Sequence, residues 1–365
     1  MTANGWHKSS LLLVLMLLPV TAAAIEEDIP LDLKSPLPGS LVICGGGDVP
    51  DSVMLRFIEL AGGPAARIVF IPTAAEGADS DEADEDLLFF RQQDLGCLSV
   101  LHTRDRQVAN HPDFVRPLQA ATGVWLAGGC QRMLADVYQD TRVDQELRRL
   151  FQRGGTIGGI SAGAAVMSPV MIRGGRRNPE TGPGFGLLPG TVIDQHFLAR
   201  GRQDRLLRVL AANPGLVGIG IDEGAALIVQ GSHLSVMGDS CVVTCLAASA
   251  NWPEEVHQLS PGDEDDLTRL VRSAWIRTQP GQVPKESRPA PATALAMNAA
   301  KPSGPSTQTV RVANKLANSP AAAAPRVLTG APVRTWTNSR PATSYRVASP
   351  TRTYQYGRSQ RVYTR

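Results

Sequence analysis

The sequence predicts an α/β fold: a doubly wound, mainly parallel sheet carrying a nucleophile elbow, followed by C-terminal hairpin strands. Three observations predict it. Short apolar strand runs recur with helical stretches between them, three of these runs end in glycine-rich turns, and after Ser168 the pattern changes to closely spaced strands. Strands alternating with helices form a parallel sheet covered on both faces. Such sheets place their ligands beyond the carboxyl ends of the strands, where these glycine-rich turns lie.

The elements follow in order. Ser40–Cys44 (SLVIC) is a buried strand ending in Gly45-Gly46-Gly47, and Val53–Leu60 spaces its apolar residues as a helix does. Arg67–Ile71 is a second strand closed by Pro72, and the acidic stretch Asp79–Asp86 leads into an amphipathic helix reaching Gln93. Leu98–His102 and Gly123–Ala127 are further strands, the latter ending in Gly128-Gly129. Thr141–Arg153 is a helix stopped by Gly154-Gly155, and Thr156–Ile160 is the fifth strand. Arg173–Gly190, rich in Gly, Pro and Arg, reads as a loop. Arg202–Ala212 is helical; Gly218–Ile221, Ala225–Val229, Leu234–Met237 and Val242–Leu246 read as hairpin-forming strands; Asp263–Ile276 closes the body as a helix.

The two ends differ from this body. His7 and Lys8 precede the apolar run Leu11–Leu18, then Pro19 and Ala22-Ala23-Ala24 before Ile25. This is the layout of a signal peptide cleaved after Ala24, and the run is shorter than the roughly 20 apolar residues a membrane span needs. Export is therefore expected, with residues 25–37 a linker and 38–278 the folded domain. Beyond Thr278 the chain is Ala, Pro, Ser, Thr, Arg and Tyr without periodicity, and 279–365 reads as disordered. Net charge is +2, but ten Arg and three Lys against one Glu give the segment from Gly281 onward +12, leaving −10 on the first 280 residues. Arginines interleaved with Tyr345, Tyr354, Tyr356 and Tyr363 suit contact with an anionic surface; a solvated extension is the plainer reading, and no nucleic-acid partner is expected. The five cysteines, Cys44, Cys97, Cys130, Cys241 and Cys245, form no C-x-x-C, so free thiols buried in the core are expected.

Gly159-Ile160-Ser161-Ala162-Gly163 follows a strand and opens a small-residue helix. A G-x-S-x-G turn can lift a serine hydroxyl above the sheet as a nucleophile, or it can be a glycine turn that serves backbone packing alone. In the first case the Ala162 N–H is one natural donor to a developing oxyanion. A serine nucleophile needs a base, and His102, His111, His196, His233 and His257 remain once the leader is removed. His102 ends a strand remote in sequence from the elbow, and the other three lie in connections or turns. His196 stands apart, in the short extended run Val192–Phe197. The orienting acid is Glu223 or Asp222, after the Gly218–Ile221 strand. With no His-x-x-x-His cluster, no metal site and no cofactor are expected.

The segments Ile160–Ala164, Asp194-Gln195-His196-Phe197 with Arg200, Arg202 and Arg205, and Gly220-Ile221-Asp222-Glu223 with Ala226-Leu227 closely resemble the cyanophycinase branch of the S51 serine peptidases. Gly128-Gly129-Cys130-Gln131 and Phe70-Ile71-Pro72-Thr73-Ala74 are similar to that family's segments in the same order. The resemblance covers about residues 38–250. It implies a class I glutamine amidotransferase-like fold and a triad of Ser161, His196 and Glu223, with oxyanion donors from Ala162 and Gly129. It further implies hydrolysis of cyanophycin, a poly-aspartate carrying arginine on its side-chain carboxyls, to β-Asp-Arg dipeptides. Gln131, Asp194, Gln195, Arg200, Arg202 and Arg205 resemble the substrate-binding residues; the guanidinium forks suit the substrate's free carboxylates. Another S51-type peptidase, such as an aspartyl dipeptidase, and a non-catalytic polymer-binding protein are the competing readings. The family suggests a homodimer. Cys130 departs from the family's G-G-N-Q segment, and the arginine-bearing loop Arg173–Gly184 is where substrate preference can drift.

Overall fold

The computed structural model describes residues 35–80, 85–279 and 361–364. The leader, nearly all of the 25–37 linker and most of the basic tail lie outside the described residues. In chain order the strands are β1 (Ser40–Cys44), β2 (Arg67–Ile71), β3 (Cys97–His102), β4 (Gly123–Leu126), β5 (Thr156–Ile160), β6 (Val170–Gly174), β7 (Glu180–Pro183), β8 (Thr191–Gln195), β9 (Val217–Ile221), β10 (Ala225–Gln230), β11 (His233–Gly238), β12 (Val242–Leu246), β13 (Glu255–Leu259), β14 (Glu264–Asp266) and β15 (Arg361–Thr364).

The central sheet has the order β14-β11-β10-β1-β5-β4-β2-β3-β15, and the run from β1 to β3 is parallel. A smaller sheet, β13-β12-β9-β8, and the hairpin β6-β7 stand beside it. The expected α/β architecture is thus the observed one. Successive side chains of a strand point to opposite faces, and the core divides accordingly. Leu41, Ile43, Val69, Ile71, Val124 and Leu126 pack on one face, beneath the helices Gln131–Tyr138 and Arg142–Gln152. On the other face Val42, Ile68, Phe70 and Trp125 meet Phe57 and Phe90 of the helices Asp51–Leu60 and Glu85–Gln92. Phe57, Phe90 and Trp125 contact one another edge to face with centroids 5.0–5.7 Å apart. A third cluster joins the helix Gln203–Ala212 to the smaller sheet through Leu206, Leu210, Val192 and Val243.

Four details differ from the expectation. The Arg173–Gly190 stretch is not all loop: its start completes β6 and its middle forms β7, with a register shift between Ile172 and Gly174. The hairpin expected of Ala225–Val229 and Leu234–Met237 is present as β10–β11, but β12 joins the other sheet, between β9 and β13. All five cysteines are free, yet only Cys44, Cys241 and Cys245 are buried; Cys130 is exposed, because it caps a helix at the mouth of a turn. Within the segment read as disordered, residues 361–364 form a strand antiparallel to β3. Among the described residues no helix is long and apolar enough to cross a membrane.

Candidate active site

Strands β1, β5 and β4 are neighbours in the sheet, so the glycine turns that follow them open side by side. Ser161 sits one residue past β5 with φ +52° and ψ −102°. Only three non-glycine residues among those described have positive φ, and Ser161 and His196 (φ +47°) are two of them. Each such conformation costs on the order of 1–3 kcal/mol and persists only where its surroundings over-determine it. For Ser161 those surroundings are its N–H, which donates to the Cys44 carbonyl at 3.0 Å, and its carbonyl, which accepts from the Ala165 N–H at 3.0 Å. Ala162 is buried at the first position of the short helix Ala162–Ala165. The β4 turn lies alongside: a methyl on Gly128 would be 3.7 Å from Ser161 Cβ. Gly129 has φ +129°, and any side chain there would run into the Ala74 carbonyl.

His196 follows β8 of the smaller sheet, and its N–H donates to the Gly45 carbonyl at 2.8 Å. That bond carries the imidazole across to the central sheet. Its Nε2 lies 2.9 Å from Ser161 Oγ and its Nδ1 2.5 Å from Glu223 Oε1. Glu223 comes from the turn after β9, which is tied to the β1 turn by a bond from the Gly224 N–H to the Gly46 carbonyl at 2.8 Å. The residues alone left the acid open and the resemblance implied Glu223; Asp222 is engaged elsewhere. Its Oδ1 accepts from the N–H groups of Leu198 and Ala199 at 3.0 and 2.9 Å, and its Oδ2 from Ser240 Oγ at 3.1 Å. Asp222 therefore shapes the turn after His196, and Glu223 alone of the two reaches the imidazole.

Burial pushes the His196 imidazole below its ordinary pKa; the hydrogen bond it donates to Glu223 opposes this and the charge of Arg200 adds to it. Burial thus favours the neutral ring. With Nδ1–H donating to Glu223, Nε2 accepts from the Ser161 hydroxyl. A hydroxyl, imidazole and carboxylate in line can deprotonate the serine as it attacks a carbonyl and return the proton to the leaving amine.

The other sequence-predicted residues divide by what they touch. Asp194 is buried and receives Arg205 as a fork, Nε donating to Oδ2 at 2.8 Å and Nη2 donating to Oδ1. Burial raises the Asp194 carboxyl above its usual range, and Arg205 holds it back. Arg202 Nη1 donates to both the backbone and the side-chain carbonyl of Gln195. Burial and the neighbouring Arg205 lower its guanidinium to about 10. Gln131 donates Nε2–H to the Ile172 carbonyl at 2.9 Å, so its amide nitrogen braces the β6–β7 hairpin. Arg200 is half exposed, with Nε 3.9 Å from Glu223 Oε1. Arg200, Arg202 and Arg205, with Arg176, Ala199 and Gly201, line a cavity of about 440 Å³. Among the described residues no group of side chains is placed to hold a metal ion.

One network was not anticipated. His102 Nδ1 lies 2.9 Å from Thr73 Oγ1 and its Nε2 2.9 Å from Asp79 Oδ1, while Thr73 Oγ1 is 2.6 Å from the Tyr138 hydroxyl. Arg104 clamps Asp79 and donates to the carbonyls of Thr73, Ala75 and Glu76. The loop held in this way presents the Ala74 carbonyl to the Cys130 N–H at 2.8 Å, directly behind Gly129. His102 is remote from the elbow in sequence, as expected, yet it stiffens the loop on which the β4 turn rests.

The family profile of peptidase family S51 matches residues 41–237. A cyanophycinase from Geminocystis herdmanii is 32% identical over 222 residues, covering 58% of this chain and 81% of that protein. A cyanophycinase from a Nostoc species is 35% identical over 229 residues, covering 60% of this chain and 76% of the relative. The crystal structure of a peptidase from an acI-B1 Actinobacterium superposes with a TM-score of 0.47 at 26% identity, covering 64% of this chain and 97% of that one. The chain belongs to peptidase family S51 and is a serine-type peptidase.

Proposed function

We propose that this peptidase hydrolyses cyanophycin, with Ser161 as nucleophile, His196 as general base and acid, and Glu223 as the group that orients the imidazole. The observation that carries the reading is the hydrogen-bonded line from Ser161 through His196 to Glu223, set beside a cavity lined by four arginines. Cyanophycin presents a free carboxylate on every arginine branch, and guanidinium groups bind carboxylates as charge-assisted forks. Ser161 attacks the backbone amide carbonyl, His196 takes its proton, and the N–H groups of Ala162 and Gly129 receive the developing oxyanion. The C–N bond breaks as His196 passes the proton to the leaving amine, and water then releases the acyl group by the reverse sequence. Exo-cleavage of this kind yields β-Asp-Arg dipeptides.

Support for the substrate comes from the two cyanophycinases to which the chain is similar, and from the arginine set, which a peptidase acting on uncharged peptides would have no electrostatic reason to gather. The test is mass analysis of soluble products after incubating the purified chain with cyanophycin and with α- and β-aspartyl dipeptides. β-Asp-Arg release, reduced by about three orders of magnitude or more in Ser161→Ala, is the expected result. Cleavage of the aspartyl dipeptides alone would reassign the substrate. Equal release by Ser161→Ala would remove the serine mechanism.

A further inference from the structure

We propose that Arg176 is a specificity-determining residue that binds the carboxylate of a second substrate branch, so that the site grips two neighbouring units of the polymer. The proposal rests on the cyanophycin reading above and deepens it. Arg176 lies on the β6–β7 loop, the arginine-bearing segment where substrate preference can drift but in which the family resemblance assigns no single residue a role.

The cationic residues of this region are unequally engaged. Arg173 is paired with Asp136 at 2.7 Å, and Arg132 with Glu180. In the cavity, Arg205 is spent on Asp194 and one nitrogen of Arg202 on Gln195. Among the described residues two carboxylates pair with these arginines, Asp194 with Arg202 and Arg205 and Glu223 with Arg200 at 3.9 Å, against four guanidinium groups. Burial first, and then the like charges of Arg205 and Arg200, lower the pKa of Arg202. Arg200 and Arg176 are the exposed members, and Arg176 has no ion-pair or hydrogen-bond partner among the described residues. A cavity with that surplus attracts more than one anion.

Arg176 is also held in place. The carbonyl before it, on Gly175, accepts from Arg205 Nη1 at 3.4 Å, and the carbonyl after it, on Arg177, accepts from Arg208 Nη1 at 2.6 Å. Both donors belong to the helix Gln203–Ala212, so the loop is tied down on either side of the one side chain it lends to the cavity. An arginine presented on an anchored backbone loses less freedom on binding than one on a free loop. Arg200 serves the branch nearest Glu223, and Arg176, on the hairpin lip, serves the next.

The experiment separates binding from cleavage. A three-unit cyanophycin fragment is titrated calorimetrically into Ser161→Ala and into Ser161→Ala combined with Arg176→Ala, Arg176→Gln or Arg176→Lys. Loss of the guanidinium by Ala or Gln weakens binding about tenfold, Lys recovers most of it, and converting the branch carboxylates to amides abolishes the difference. In the Ser161-intact chain Arg176→Ala raises KM about tenfold with less than a threefold change in kcat. Affinity within twofold of the parent, or an equal loss with the amidated fragment, overturns the proposal. Cleavage of the polymer without Arg176 dependence defeats this inference and leaves the cyanophycin reading intact. Arg176-dependent binding without cleavage does the reverse.

Discussion

Gly46 lies against the imidazole of His196: a methyl group on it would stand 2.2 Å from Cε1 and 2.5 Å from Nε2. The β1 turn therefore forms a wall that presses the ring toward Ser161, and only a residue without Cβ fits. Its φ of +114° makes the same demand on the backbone. Gly46→Ala is expected to tilt the ring off the serine and to lower turnover about a hundredfold, the size of effect that an ångström-scale misplacement produces. Turnover and the rate of labelling by a fluorophosphonate should fall together in a chain that still folds; undiminished labelling would contradict the packing argument.

The pH profile should carry two opposite signatures. The base must be neutral, and burial sets the His196 pKa below its ordinary value, so the acid limb of kcat/KM lies below about 6.5. Glu223 stabilises the imidazolium and Arg200 opposes it. Glu223→Gln should move the limb further down while lowering the plateau by about 10²–10⁴. Arg200→Gln should move the limb up. Limbs that shift in the same direction would exclude His196 as the titrating base.

Thr73 joins His102 to Tyr138 behind the Gly129 turn. Thr73→Val keeps the shape but removes the hydroxyl shared by His102 Nδ1 and the Tyr138 hydroxyl, at a cost of about 1–3 kcal/mol. The expected outcome is a roughly tenfold fall in kcat and in affinity for a boronate mimic of the tetrahedral intermediate, with KM within twofold. Thr73→Ser restores both. Should Thr73→Val lower only the melting temperature, the network would be structural and no more.

The Asp194–Arg205 pair is buried on both sides, with 1% and 7% of the side chains exposed. Asp194→Leu alone strands a buried cation and should cost about 3–5 kcal/mol in denaturant unfolding, whereas Asp194→Leu with Arg205→Met should cost much less. Equal losses would mean the pair is not coupled as its geometry requires.

Export, proposed from the leader alone, predicts that the protein recovered from a secreting host begins at Ile25. N-terminal sequencing that returns Met1 or Thr2 would refute it.

Much of the site was legible before folding because its signals are local. The G-x-S-x-G turn follows from strand and glycine chemistry within five residues, and His196 could be singled out by elimination and by the resemblance of its neighbours. The resemblance implied Glu223, but no local chemistry separates it from Asp222, because adjacent carboxylates differ only in what each meets: backbone N–H groups of residues 198–199 for one, an imidazole for the other. The β6–β7 hairpin escaped notice for a related reason. It is two-stranded and its second strand, Glu180–Pro183, is mostly exposed, so no alternation of apolar residues marks that strand, and the Gly and Pro content of the segment reads as loop. The network of Thr73, Asp79, His102, Arg104 and Tyr138 joins residues up to 65 positions apart and has no spacing by which it could be found.

Short apolar runs and helical hydrophobicity, read residue by residue, determined the strands and the helices between them, the glycine turns and the serine that stands at one of them, since each is signalled within a few positions. The tertiary structure decided which turns lie side by side, which acid meets the imidazole and which arginines remain unspent. Those outcomes depend on strand order and on the pairing of distant charges, and a linear sequence states neither.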